Sequence, residues 1–195
     1  MNLEILTKTA KLSLLRPREG FRVVLGWNLS LSESALALTL MAVLSAGLIS
    51  LVLGPVPPEI DPVTARILAN PIYLAVAQLA GLVTLGACVH LLGRVTKGQG
   101  TIPQAIAMMA WFEALMIAVS LAQSVVLMLV PPLGVLLIPA GMILSLWLIA
   151  SFTAELQGYA SVFLSLLGVI AAFVVAMFGL VFVLFLALAL GVLHV

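Results

Sequence analysis

The run IPQAIAMMAWFEALMIAVSLAQSVVLMLVPP, residues 102–132, decides how this chain folds. From Ile102 to Val130 it carries one formal charge, Glu113, and it closes on a proline pair. A helix needs about 20 apolar residues, each rising 1.5 Å, to cross a hydrocarbon core of about 30 Å. This run is long enough to do so. The whole chain agrees: of its 195 residues 64% are hydrophobic and 8% charged. A soluble domain carries about 25% charged residues, so lipid has to be the solvent here.

Working outward, five segments have the length and apolarity of membrane spans: 34–54, 71–92, 103–130, 133–153 and 161–190. The breaker run GPVPP closes the first, Asn70-Pro71 opens the second, and Pro131-Pro132 separates the third from the fourth. The fifth is longer than one crossing needs and too short for two, which predicts a tilt, a bend near Gly168 or Gly179, or a first turn outside the hydrocarbon. The expected architecture is all-α: a segment 1–33 of short amphipathic interfacial helices, then a five-helix transmembrane domain, 34–195. No internal repeat is visible. The first twenty residues hold no continuous apolar stretch, so no cleavable signal peptide is expected and the first span directs insertion.

Lys and Arg concentrate on the cytoplasmic side of membrane proteins. Lys8, Lys11, Arg16, Arg18 and Arg22 precede the first span, and Arg94 and Lys97 lie between the second and third. Only Arg66, with Glu59 and Asp61 beside it, falls in the loop between the first and second. Five spans put the first two groups on one side and Arg66 on the other. The N-terminus is therefore expected in the cytoplasm and the C-terminus opposite. Along the N-terminal segment Leu3, Leu6, Ala10 and Leu14 share one helical face and Glu4, Lys8 and Lys11 the other. After Pro17, Phe21, Val24 and Leu25 point away from Arg18 and Arg22. Such helices suit the headgroup layer, with Lys8, Lys11, Arg16, Arg18 and Arg22 as headgroup ligands, or simple anchoring.

Few residues carry chemistry. Glu113 lies eighteen residues before Pro131, roughly 27 Å down a straight helix, which predicts an ion-paired or hydrogen-bonded anchor at the cytoplasmic edge, ionised, with Trp111 in an interface belt. Glu155 is expected at the same level, salt-bridged to Arg94, Lys97 or the N-terminal basic residues. Carboxylate metal sites in bundles use Glu-x-x-His ligands, and neither glutamate has a histidine three residues on, so no metal is expected. His90 and His194 fall on opposite sides of the membrane. No catalytic motif is present, and no catalytic residue or cofactor is expected. The basic residues are too few for nucleic acid. Gln78 and Gln123 match in depth, at about 10 and 12 Å from the outer side. They predict either a direct hydrogen bond or a small polar cavity lined by Gln78, Ser120, Gln123 and Ser124. Gly81 and Gly86 read as helix-packing residues.

Three stretches together carry a resemblance: RPREGFRVVL (16–25), KGQGTIPQAIAMMAWFEAL (97–115) and LWLIASFTAELQGYASVFLSLLGVIAAFVVA (146–176). They resemble the Ypt-interacting protein (Yip domain) family, and especially its prokaryotic branch. The resemblance implies five spans and a cytoplasmic N-terminus, and for a prokaryotic relative the bacterial cytoplasmic membrane. Eukaryotic members act in vesicle traffic with small prenylated GTPases and carry an Asp-Leu-Tyr-Gly-Pro motif. Here LGPVPP (53–58) keeps only Gly54-Pro55, so GTPase binding is not implied. The expected role is non-catalytic: organising membrane, or binding other membrane proteins or further copies of itself. The runner-up is a solute or ion transporter using the polar residues of the second and third spans.

Overall fold

The computed structural model describes residues 3–53 and 60–189. Eight helices follow in order: α1 Leu3–Leu15, α2 Pro17–Leu25, α3 Leu31–Leu53, α4 Pro62–Ala69, α5 Pro71–Val95, α6 Ile102–Leu129, α7 Pro131–Gln157 and α8 Val162–Ala189. No strand occurs among the described residues. Five of the helices, α3, α5, α6, α7 and α8, are long and apolar enough to cross a membrane. The chain is thus a multi-pass membrane protein. Gly54, Pro55 and His194 lie outside the described residues.

The helix starts are written locally. At α3 the Glu33 carboxylate accepts from the Ser30 N–H at 2.8 Å and from its hydroxyl at 2.6 Å. This Ser-x-x-Glu arrangement satisfies donors that a helix start leaves free. It explains why α3 begins at Leu31, earlier than the hydrophobic edge at Ser34: Glu33 belongs to the cap. At α5 the Asn70 side chain accepts from the N–H groups of Ile72 and Tyr73, with Pro71 in the first turn. At α6 the Gln104 side chain accepts from the Thr101 N–H at 3.0 Å. Between α6 and α7 only Val130 is non-helical, because a proline suits a first turn and α7 starts on the pair itself. The loop between the first two spans holds a short helix, α4, that hydrophobicity alone does not single out.

Packing is uneven along the bundle. The fully buried large side chains, Phe21, Leu38, Met108, Met109, Leu148 and Phe152, gather at the end where α1 and α2 sit. On α6 the buried residues run from Ala105 to Leu115, in its first half. On α7 most lie between Leu148 and Gln157, in its last half. Towards the α6–α7 turn the helices expose residues such as Leu129, Leu136 and Ile143. On a membrane-spanning helix an apolar side chain left exposed to lipid costs nothing. α8 continues through Gly168 and Gly179 as one helix, and neither glycine is approached by another side chain.

Candidate functional site

Two sets of polar residues stand out, one at each half of the bundle. The first is the junction that holds α1 and α2. Glu155, near the end of α7, accepts from Arg22 Nε at 2.7 Å and from Arg18 Nε at 3.2 Å. The Arg18 guanidinium also donates to the carbonyls of Tyr159, at 2.9 Å, and Ala160, at 3.3 Å. Phe21 stacks on Phe152 with ring centroids 5.0 Å apart. Trp111 donates its indole N–H to Ser13 at 3.0 Å and meets Trp27 edge-on. A Cβ on Gly20 would collide with the Ser13 backbone, so glycine sets how closely α2 packs on α1.

These contacts revise several sequence expectations. Glu155 is salt-bridged, by the N-terminal arginines; Arg94 and Lys97 are not its partners. Arg18 and Arg22 therefore hold protein, although Arg22 stays largely exposed. The ion pair and hydrogen bond with Glu155 raise the Arg22 pKa. Lys8 pairs with Glu4 and Arg16 with Glu19, both on the surface. Lys11 makes no ion pair among the described residues. Leu6, Ala10 and Leu14 pack on the core, but Leu3 is 73% exposed. Trp111 is buried within the protein, with its one donor satisfied by Ser13.

Beside this junction the α5–α6 loop wraps the end of α7. The Gln157 side chain accepts from the Gly100 N–H at 3.1 Å and donates to the Val89 carbonyl at 3.3 Å. Its backbone carbonyl accepts from the Gln99 N–H. A Cβ at Gly93 or Gly98 would run into the Gln157 side chain, and one at Gly100 would lie 2.7 Å from Leu156. The loop turns at Lys97, φ 60°, with Gly98 N–H closing on the Gly93 carbonyl at 2.7 Å. Gly158, φ 72°, ends α7 in the left-handed conformation that glycine tolerates best. His90 contacts the Gly100 carbonyl at 3.0 Å through Nδ1, and the Tyr159 hydroxyl meets that of Thr96. Sequence reading passed over this cage; the signal available was three glycines in GRVTKGQG (93–100).

The second set lies in the other half, around a cleft of about 440 Å³. Ser45 of α3, Gln78 of α5, and Glu113, Ser120, Gln123 and Ser124 of α6 line it. On α6 these residues recur at the helical spacing of one stripe. Gln78 Nε2 donates to Glu113 Oε1 at 2.5 Å and to Ser45 Oγ at 2.7 Å. Gln78 Oε1 is buried without a hydrogen-bond partner among the described residues. Gln123 donates instead to the Leu137 carbonyl of α7 at 2.7 Å, beside Gly141, where any Cβ would strike its amide. Of the two arrangements open to the glutamines, the structure has the cavity and not the mutual hydrogen bond.

Glu113 is hydrogen-bonded, one of the two arrangements expected of it, but the ion pair is not formed. It is 7% exposed, inside the bundle, and no ion pair involves it among the described residues. The reason is an offset between helices. Gln78 is seven residues from the start of α5 and Glu113 sixteen from the end of α6, yet they touch. α6 thus runs about nine residues, roughly 13 Å, beyond the level where α5 begins. Depth counted back from Pro131 assumed that both helix ends were level. Glu113 and Glu155 belong to different sites, and among the described residues no three His, Cys, Asp or Glu come together.

Fold and composition define a five-helix polytopic membrane protein with a docked N-terminal helix pair. The Yip1 domain model matches residues 11–184, and the chain belongs to that family. No curated protein and no solved structure matches the chain.

Proposed function

We infer that this Yip-type protein is a non-catalytic membrane organiser, and that its α1–α2 layer is the face it offers to partner membrane proteins or to further copies of itself. The observation that carries the reading is the lock between α2 and α7: Arg18 and Arg22, more than 130 residues away in sequence, converge on Glu155. A merely lipid-anchoring helix pair needs no such fixed registry. Docked this way, the layer leaves Leu3, Ile5 and Leu15 exposed at one end of the bundle. The excess of basic residues favours a cytoplasmic position for this end, as in a bacterial cytoplasmic membrane.

A photo-crosslinking amino acid at Ile5 or Leu15, in intact cells, tests the role. Crosslinks to protein at these positions, absent at the lipid-facing Phe163, are expected. Crosslinks to lipid alone at all three would sink the partner-binding reading. For orientation, cysteine at Lys97 in a Cys88→Ala background should resist an impermeant thiol reagent added outside, and cysteine at Asp61 should react. The opposite pattern would reverse the topology.

A further inference from the structure

We propose that the cleft between α3, α5, α6 and α7 is a binding site for a small organic ammonium ion, with Glu113 as its counter-ion. The inference goes beyond the organiser role and requires no passage of the ligand across the membrane. A carboxylate in a low-dielectric interior has to be balanced by a positive charge or a proton. Among the described residues Glu113 has no Lys or Arg beside it; its partners, the Ser45 hydroxyl and the Gln78 amide, are neutral. Beside it, Gln78 Oε1 is buried, an acceptor with nothing to accept from. Neutral hydrogen bonds leave the carboxylate charge unbalanced, and because buried polar atoms are nearly always paired, the unmet oxygen of the neighbouring Gln78 adds a second group in want of a donor. An ammonium group supplies both the charge and several N–H donors.

The rest of the cleft selects the class of ligand. No basic residue lines it, which disfavours anions and any headgroup carrying phosphate. A single carboxylate balances one positive charge, whereas divalent cations collect several anionic oxygens. A volume of about 440 Å³ falls in the range of small-molecule pockets, far above what a bare ion fills. Beyond Glu113 the walls become apolar, with Leu48, Ile49, Met116 and Leu127. Charge at one end and hydrocarbon along the sides fit a short amine with an apolar stem. Ser120 and Ser124 line the same cleft along α6.

The test is equilibrium dialysis of radiolabelled n-butylammonium against the purified full chain in nonionic detergent, at constant ionic strength. Saturable binding is expected, displaced by unlabelled n-butylammonium and not by 1-butanol or sodium chloride. Glu113→Gln should weaken it by at least about tenfold, the loss of one charge-assisted hydrogen bond. Glu4→Gln, which alters a surface pair, should leave it unchanged. Ser120→Leu narrows the cleft without touching the carboxylate and should also reduce binding; it carries the test should Glu113→Gln fail to fold. Equal displacement by 1-butanol would mean an apolar void, and equal displacement by sodium would mean an inorganic-cation site; either overturns the proposal. Binding that survives Glu113→Gln or Ser120→Leu overturns it too.

Discussion

The two halves of this bundle differ in how closely their polar side chains are packed, although each leaves some buried oxygens unmet: Ser34 and Ser165 at the α2 end, Ser50 and Gln78 toward the other, among the described residues. Around α2, Glu155, Gln157, Trp111 and Arg18 all have partners, and glycines bring the chains into contact. Toward the α6–α7 turn, Ser120 and Ser124 line an open cleft, and the Gln78 carbonyl oxygen goes without a partner among the described residues. Leaving a buried polar group unsatisfied costs about 1–3 kcal/mol. Both halves are built from the same five helices, so helix geometry alone does not impose the looser arrangement. The contrast separates a close-packed region from one that keeps a cavity beside its polar side chains.

The contrast can be broken first at the cage. Gly98→Val would drive a branched side chain into Gln157, and such overpacking costs about 3 kcal/mol. Denaturant unfolding in micelles should register the loss; an unchanged midpoint would show that the junction is not close-packed. Glu155→Ala comes next. It strands two arginines, but Arg22 is largely exposed and Arg18 partly so, and a loss smaller than that of Gly98→Val is expected. Amide exchange should then rise in α2 and not in α5. Uniform protection would disconnect the ion pairs from docking. In the cleft, Glu113→Gln keeps an acceptor for the Gln78 amide, and a stability change within about 1 kcal/mol is expected in the same unfolding assay. A loss as large as that of Glu155→Ala would make Glu113 a structural keystone and erase the difference between the halves. The smallest effect separates two glycines of α5. Gly81 has open space where a Cβ would go, and Gly81→Ala should stabilise by about 0.5 kcal/mol. At Gly86 the new methyl would lie 3.2 Å from Met109 Cγ, so Gly86→Ala should lack that gain.

The spans were legible because membrane thickness converts directly into residue count. Glu155 was legible as an ion-paired residue because charges stranded at one end of a bundle have few partners to choose from. The cavity around Gln78, Ser120, Gln123 and Ser124 was foreseen as one of two arrangements. Glu113's place in it was not. Residue counts give depth along one helix, while contact between helices depends on their relative offset, which side-chain packing sets. The cage around Gln157 was hidden for a related reason: a glycine announces freedom or closeness, and sequence does not say to what. Trp111 looked like an interface residue because nothing in its neighbourhood along the chain announces Ser13, 98 residues away.

The offset that brings Gln78 to Glu113 has a consequence for the lipid. At 28 and 27 residues, α6 and α7 are roughly 40 Å long, while α3, at 23 residues, is about 34 Å. A bilayer core of about 30 Å matches neither equally. The α6–α7 hairpin, like the 28-residue α8, is longer than one crossing needs, so it leans in the bilayer or carries part of its length past the hydrocarbon, where α6 and α7 meet α2. Mismatch costs fractions of a kcal/mol per ångström, enough to sort proteins between membranes.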